Sequence, residues 1–351
     1  MPRTIELTEF LQELRSGKPV FDVRSPAEFE QAHLPAAVNL PLFNNEERAQ
    51  VGTTYKHDGK VDAINLGLTL VGPKLDNFVE QVRQVTGSGA HHILLHCWRG
   101  GMRSASMASF LEGQGFEVSI LEGGYKTYRQ AALALQKTMK YPLIIIGGYT
   151  GGGKTEILQY LAEQGEQVLD LEALANHLGS AFGSLAKGPQ PSQEQFENSI
   201  FSILNDYNLS RPIIVEDESR LIGRLNIPIG LFENMRSSHV FRVELPLADR
   251  VKRLVSVYGD IDRQLLLDSV HKIRKRLGGL RTAQANEAIE AGQLAVAVAI
   301  ILEYYDKAYD YGMSQRDPAL IHRFEFNRLD LASIHSSLSE FAQKTHESLR
   351  N

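Results

Sequence analysis

Two short stretches of this 351-residue sequence combine residue types and spacings that can do chemistry. The first is His96-Cys97-Trp98-Arg99-Gly100-Gly101-Met102-Arg103-Ser104. Cys97, the only cysteine, ends the apolar run His92-Ile93-Leu94-Leu95-His96 and precedes a segment with helical spacing, Ser104 to Gln114. A strand–loop–helix turn aims several backbone N–H groups and the positive end of a helix at one spot. Arg99 and Arg103 add formal charge, and Gly100 and Gly101 let the backbone close tightly. Such surroundings lower a thiol pKa, so Cys97 reads as a nucleophilic thiolate. Trp98, Arg99, Gly100, Gly101, Met102 and Arg103 form the anion loop around it.

The second stretch follows the buried-strand pattern Leu143-Ile144-Ile145-Ile146. Gly148-Tyr149-Thr150-Gly151-Gly152-Gly153-Lys154-Thr155 matches the G-x-x-x-x-G-K-[ST] phosphate loop in its required strand-to-helix context. Its glycine amides would cradle phosphate oxygens, Lys154 would meet the terminal phosphate, and Thr155 would ligate Mg²⁺. A second ligand should end a neighbouring strand, and Ile213-Ile214-Val215-Glu216-Asp217 offers either Asp217 or Glu216. Asp170, after Gln167-Val168-Leu169, is a further metal candidate and equally a helix N-cap. No N-K-x-D guanine reader occurs, which argues against a translational GTPase and leaves a loop whose ligand need not be a nucleotide.

These loops need strands and helices to hold them. Short apolar runs alternating with helical patterns predict an α/β chain with a mostly parallel sheet in each half. The expected organisation is a first domain over 1–128, a helical linker over 129–141, a phosphate-loop domain over 142–285 and a helical C-terminal segment over 286–351. The stretch from Gly179 to Ser192 reads as a long loop or lid. Composition is ordinary for globular chains, with 43% apolar and 23% charged residues and a net charge of −5. One cysteine excludes an internal disulfide framework, a CxxC zinc site and an iron–sulfur cluster, and suggests a reducing compartment. The N-terminus carries early acids and no apolar core. The uncharged run Ala291 to Leu302 is too short to span a bilayer. A cytoplasmic protein with no membrane partner is expected.

Charge is uneven along the chain. Residues 211–281 hold 14 Lys and Arg against 9 Asp and Glu. Lys272, Arg274, Lys275, Arg276 and Arg281 are the densest part, able to meet a nucleic-acid backbone or to act as a lid over the phosphate loop. Tyr304, Tyr305, Tyr309 and Tyr311 sit beside acids and read as core packing.

The run Phe21-Asp22-Val23-Arg24-Ser25-Pro26-Ala27-Glu28-Phe29, the His33-Leu34-Pro35-Ala36-Ala37 that follows, and Glu122-Gly123-Gly124-Tyr125 resemble, together with the cysteine loop, a rhodanese domain over roughly residues 5–128. Asp22, Arg24 and Glu28 read as a structural charge network. Ala32 stands where a glycine is usual. Most rhodanese loops hold four residues between cysteine and arginine, whereas five stand here. H-C-x5-R-S is also the pattern of rhodanese-like cell-cycle phosphatases, and it suits phosphate or a phosphorus-linked chalcogen. One alternative is therefore a rhodanese-like phosphatase fused to a P-loop kinase-like domain.

Nearly the full length is similar to the tRNA 2-selenouridine synthase family. The likeness rests on the two loops, on the segment from Asp170 to Gly183, and on Val215-Glu216-Asp217-Glu218-Ser219. The resemblance implies a rhodanese-like parallel-sheet domain followed by a P-loop NTPase-like α/β domain with a helical C-terminal part. It also implies a transferase with geranyltransferase and selenotransferase activities. Its partner would be tRNA bearing 2-thiouridine at the wobble position, its substrates geranyl diphosphate and selenophosphate, with Mg²⁺ as cofactor. Cys97 would be the selenium-transfer nucleophile.

Overall fold

The computed structural model describes residues 2–87, 91–137, 140–177 and 188–348, the last three without their side chains. Most of the stretch expected as a lid, residues 179–187, lies outside the described residues, as do residues 178–183 of the family-like segment. The chain divides into two compact units, one of residues 1–134 and 192–206, the other of residues 135–191 and 207–351.

The first unit is a parallel sheet of five strands: β1 (Arg3–Ile5), β2 (Val20–Asp22), β3 (Ala37–Asn39), β4 (His92–His96) and β5 (Glu117–Leu121), in the order β1-β5-β4-β2-β3. Strand side chains alternate between faces, and here that alternation builds two cores. Ile93 and Leu95 join Phe78, Val82, Met107 and Leu111, from the helices Leu75–Thr86 and Met102–Gly113. Leu94 joins Phe10, Leu11, Tyr125 and Tyr128, from the helices Leu7–Arg15 and Gly124–Ala132. A strand buried on both faces in this way is what a continuous apolar run in a parallel sheet requires.

The second unit has its own parallel sheet, again of five strands. These are β6 (Leu143–Gly147), β7 (Gln167–Leu169), β8 (Ile213–Glu216), β11 (His239–Glu244) and β12 (Ile321–Glu325), in the order β12-β11-β6-β8-β7. A two-stranded hairpin of β9 (Leu221–Ile222) and β10 (Leu225–Asn226) lies between β8 and β11 in the chain. Four helices beyond it, Arg263–Lys272, Arg274–Leu277, Gly279–Glu290 and Leu294–Ser314, pack into a separate apolar cluster. Strand β12 departs from the helical pattern expected toward the C-terminus. Its Ile-His-Arg-Phe-Glu is polar and only partly buried because it is an edge strand, so it lacks the apolar run that reveals a central one.

The helix Gln193–Asp206 belongs to the first unit although it lies beyond the phosphate loop in sequence. The Tyr128 hydroxyl donates to the Asn198 carbonyl at 2.9 Å. Asn198 Nδ2 donates to the Tyr125 hydroxyl at 2.7 Å and to the His33 carbonyl at 3.1 Å. Asn198 is fully buried, so truncation leaves these acceptors without their partner. Asn198→Ala should therefore destabilise the first unit by about 1–3 kcal/mol. Denaturant unfolding followed by Trp98, the only tryptophan, reads this unit directly; an unchanged midpoint contradicts the assignment.

Candidate functional site

Strand β4 delivers Cys97 to the C-terminal edge of the sheet, and the helix Met102–Gly113 begins five residues later. The loop between is shaped from below by the turn after β5. Gly124 adopts a left-handed conformation, with φ of 62°. A Cβ on it would sit 2.4 Å from the Cys97 carbonyl oxygen and 2.5 Å from the Gly100 nitrogen. Only glycine permits that approach. The following backbone locks the loop, with Tyr125 N–H donating to the Cys97 carbonyl at 2.8 Å and Lys126 N–H to that of Trp98 at 3.0 Å.

Cys97 is buried, with its Sγ 3.3 Å from the Ser104 hydroxyl. Burial pushes the thiol pKa up, but hydrogen bonds from the Ser104 hydroxyl and from the backbone N–H groups of Arg99, Ser104 and Gly101 outweigh it, and the net shift is downward. Two of the loop's expected cation and wall residues, Arg99 and Met102, stand exposed. Trp98 is half-exposed, its ring 5.6 Å from that of Tyr125. Arg103 is committed, donating to Glu28 at 2.7 and 3.3 Å. Arg24 is fully buried, bound to Asp22 at 2.5–3.0 Å and to the Ala32 carbonyl at 2.8 Å, with its guanidinium 3.9 Å from the Tyr125 ring centre. Asp22, Arg24 and Glu28 thus hold the loop and its neighbouring strand together.

In the second unit, β6 leads through the phosphate loop into the helix Lys154–Glu163. Gly153 caps that helix in a left-handed conformation, with φ of 80°. Lys154 Nζ donates to the Gly148 carbonyl at 3.2 Å, folded back across the loop. A cavity of about 350 Å³ opens beside it, lined by Thr150 to Glu156, Glu172, Glu218 and Arg253.

The acids separate by strand alternation. Asp217 is paired with Arg316 at 2.6 Å, and that guanidinium also donates to the Met235 carbonyl at 2.7 Å. Glu216, on the opposite face, accepts from the Glu172 N–H at 2.7 Å. Of the two acids considered as metal ligand, Glu216 meets the backbone of Glu172, and Asp217 is paired with an arginine. Asp170 caps the short helix Leu171–Leu174, accepting from Ala173 N–H at 2.7 Å.

Two acids not expected from the sequence complete this corner. Glu172 Oε2 lies 3.5 Å from the Thr155 hydroxyl, and Glu218 lines the same cavity. Burial, with Asp170 and Glu172 close by, pushes the Glu216 carboxyl up to about 8. Burial and Glu172 likewise raise Glu218. The Oε2 atom of Glu216 is buried with no hydrogen-bond partner among the described residues. Glu172 beside Thr155, with Glu218 on the same cavity, supplies the carboxylates that would fit a divalent cation there. Among the described residues no group of three or more His, Cys, Asp or Glu is arranged to hold a metal by itself.

Arg253, Arg250 and Tyr309 were also not legible as loop residues. Arg253 donates to the Gly151 carbonyl at 3.2 Å and pairs with Glu156. Arg250, clamped by Asp306 at 2.8 Å, donates to the Thr150 carbonyl at 3.3 Å. The Tyr309 hydroxyl accepts from Gly148 N–H at 2.7 Å, so this tyrosine braces the loop as well as packing. Tyr311, expected in the core, is 71% exposed. The signal for Arg250 and Arg253 was present as a helical i, i+3 pair in Leu247–Tyr258, but nothing local aimed it at the loop. The basic cluster does not line the phosphate cavity, so its lid role has no geometric support. Lys272, Arg274, Lys275 and Arg276 are exposed, and Arg281 pairs with Glu303 at 2.6 Å.

A rhodanese-type thiol loop and a P-loop-like α/β unit on one chain define a two-domain α/β protein. Sequence comparison agrees for each half. Residues 6–131 match the rhodanese-like domain, and residues 141–334 match the tRNA 2-selenouridine synthase AAA domain. The chain belongs to the tRNA 2-selenouridine synthase family, which implies an enzyme acting on tRNA. Among solved structures, the N-terminal domain of a protein described as ATP/GTP-binding from Clostridium difficile 630 is 39% identical, covering 36% of this chain and 96% of that one, with a TM-score of 0.33. Reduced Bacillus anthracis CoADR-RHD is 21% identical, covering 36% of this chain and 16% of that one, with a TM-score of 0.24. No helix among the described residues is long and apolar enough to cross a membrane.

Two outcomes follow for the thiol loop. Alkylation of Cys97 should titrate with a midpoint below the ordinary cysteine value of 9.0, because the thiolate is the reactive form. Ser104→Ala should move that midpoint upward. A wild-type midpoint at or above 9.0, or no shift in the variant, contradicts the hydrogen-bond account. Gly124→Ala should cost roughly 1–2 kcal/mol for the left-handed backbone alone, and should also raise the alkylation midpoint because the Cys97 loop must move. A folded variant with an unchanged alkylation profile goes against that coupling.

Proposed function

We propose that this enzyme converts wobble 2-thiouridine of tRNA to 2-selenouridine in two steps. In the first, the uridine sulfur attacks C1 of geranyl diphosphate. The S–C1 bond forms, the C1–O bond breaks, the diphosphate departs, and the thioamide N–H proton is released. The phosphate loop binds the diphosphate through its backbone amides, Lys154 and Arg253. Thr155 would hold Mg²⁺ with the carboxylates of Glu172 and Glu218, and Glu216 behind them; a bound Mg²⁺ would supply positive charge for the departing diphosphate oxygens.

In the second step the Cys97 thiolate attacks the phosphorus of selenophosphate. The S–P bond forms, the P–Se bond breaks and hydroselenide leaves. Hydroselenide adds at C2 of the uridine and geranylthiolate is expelled, giving 2-selenouridine. Water then cleaves the S–P bond, returning phosphate and the free thiol. Alkylation in the first step makes the second possible, since a thiolate leaves more readily than sulfide. No second cysteine is needed, and the chain has none. Lys272, Arg274, Lys275 and Arg276 offer charge to the tRNA backbone. Selenophosphate must be supplied from outside, and the reaction belongs in the cytoplasm.

The observation that supports this reading best is the setting of Cys97. Its sulfur, acidified by the Ser104 hydroxyl and backbone N–H groups, sits in a loop of five residues before Arg103, a spacing that suits a phosphorus-centred anion. Family membership favours this reading over the phosphatase–kinase alternative.

Mass spectrometry of nucleosides tests it, with thiolated tRNA, geranyl diphosphate, Mg²⁺ and selenophosphate as reagents. Cys97→Ser should lose selenation and keep geranylation. Lys154→Ala should weaken diphosphate binding about 10- to 100-fold, as expected for a lost charge-assisted contact. It should still selenate pre-geranylated tRNA. Unmodified thiouridine from folded wild-type protein with all reagents sinks the proposal.

A further inference from the structure

Cys97 is only 3% exposed, so a substrate reaches its sulfur across the rim of the loop. Three side chains of that loop stand in solvent: Trp98 at 37% exposure, Met102 at 48%, and Arg99. The chemistry above gives none of them a task. Arg103, the loop's other cation, is already taken up by Glu28.

Trp98 is the unusual member. An indole carries a large apolar area, and a folded chain ordinarily puts most of it away. Buried aromatic company is at hand, since Tyr125 and Tyr128 are both in the core. The Trp98 ring leans on Tyr125, with 5.6 Å between ring centres at an interplanar angle of 41°, yet more than a third of the residue stays open. Its seat is fixed. The Trp98 carbonyl accepts from Lys126 N–H at 3.0 Å. The Tyr125 hydroxyl donates to Glu194 at 2.6 Å and accepts from Asn198 at 2.7 Å. The Arg24 guanidinium lies 3.9 Å from the Tyr125 ring centre and 5.9 Å from that of Trp98. A ring backed by pinned neighbours and partly open to solvent loses little freedom when a ligand covers it.

We infer that Trp98 is the stacking platform for the base that Cys97 serves, an unpaired pyrimidine of the RNA, with Arg99 beside it for the flanking phosphate. The inference rests on the selenation step proposed above and adds the residue that holds the base for it. Hydroselenide released at the sulfur must meet C2 of the uridine before it diffuses away, so the base has to lie at the rim beforehand. A base turned out onto an aromatic side chain keeps its edges free for reaction. A planar base gains from one open ring face, whereas a hydrocarbon chain gains most when enclosed.

Trp98 is its own reporter, because the chain has no other tryptophan. The probes are an RNA anticodon stem-loop with 2-thiouridine at the wobble position and a copy abasic at that position, each titrated into the full chain. The thiouridine stem-loop should quench Trp98 emission saturably. The abasic copy should leave the emission nearly unchanged. Trp98→Ala should bind the thiouridine stem-loop about 5- to 150-fold more weakly by fluorescence anisotropy of a labelled probe, as expected for one lost base stack. Trp98→Phe should recover most of that loss. On pre-geranylated tRNA, Trp98→Ala should raise KM for selenation more than it lowers kcat, with the Cys97 alkylation midpoint unmoved. Stem-loop binding without quenching, or undiminished binding by Trp98→Ala, overturns the platform. A shifted alkylation midpoint in Trp98→Ala does so too, since it marks a ring that only supports the loop. Failure of the underlying reading looks different: the stem-loop then quenches Trp98, but wild type leaves pre-geranylated tRNA unselenated.

Discussion

Each reactive loop leaves the central strand of a five-stranded parallel sheet, and this placement governs everything built around it. In a parallel sheet all strands end along the same edge, and a helix follows with its N-terminus turned to that edge. A loop on the middle strand has a neighbour on either side to shape it. For Cys97 those neighbours are β2, which carries Asp22 and leads into Arg24, and the Gly123–Gly124 turn after β5. For Lys154 they are β8, which ends in Glu216, and β11, whose Val243 carbonyl presses on Gly148. Neither site is a property of its loop alone.

The two loops share an architecture and differ in the charge that surrounds them. Around Cys97 the buried charges are matched: Arg24 with Asp22, and Arg103 with Glu28. The remaining polar pull comes from a hydroxyl and backbone N–H groups, and it acidifies the sulfur. At the phosphate loop the acids are crowded and poorly matched, and burial drives Glu216 toward its neutral form. Charge is matched around the first site and unmatched around the second.

Much of this was legible in the sequence for a physical reason. Central strands are buried on both faces, so β4, β6 and β8 appear as unbroken apolar runs, and glycine-rich turns after them can be read as anion loops. What the sequence did not reveal depends on side chains meeting across long separations. Glu216 and Asp217 are indistinguishable by type, and only strand alternation with Arg316 waiting on one face tells them apart. Glu172, Arg253 and Tyr309 reach the phosphate loop from 17 or more residues away, where no local pattern links them to it. The edge strand β12 carries too little apolar character to announce itself. The assignment of the helix Gln193–Asp206 to the first unit was equally hidden, since its amphipathic pattern says that it packs but not on what.

That helix has a consequence for how the protein is made. The first unit is completed by residues synthesised only after β6, the phosphate loop and β7 have emerged. With chain growth of about 5–20 residues per second, the rhodanese sheet waits several seconds on the ribosome with Tyr125 and Tyr128 still lacking their partners. The first unit therefore cannot be completed until part of the second has been synthesised. The two units are interleaved in the polypeptide, and an ancestral end-to-end fusion of two finished domains does not by itself account for their connection.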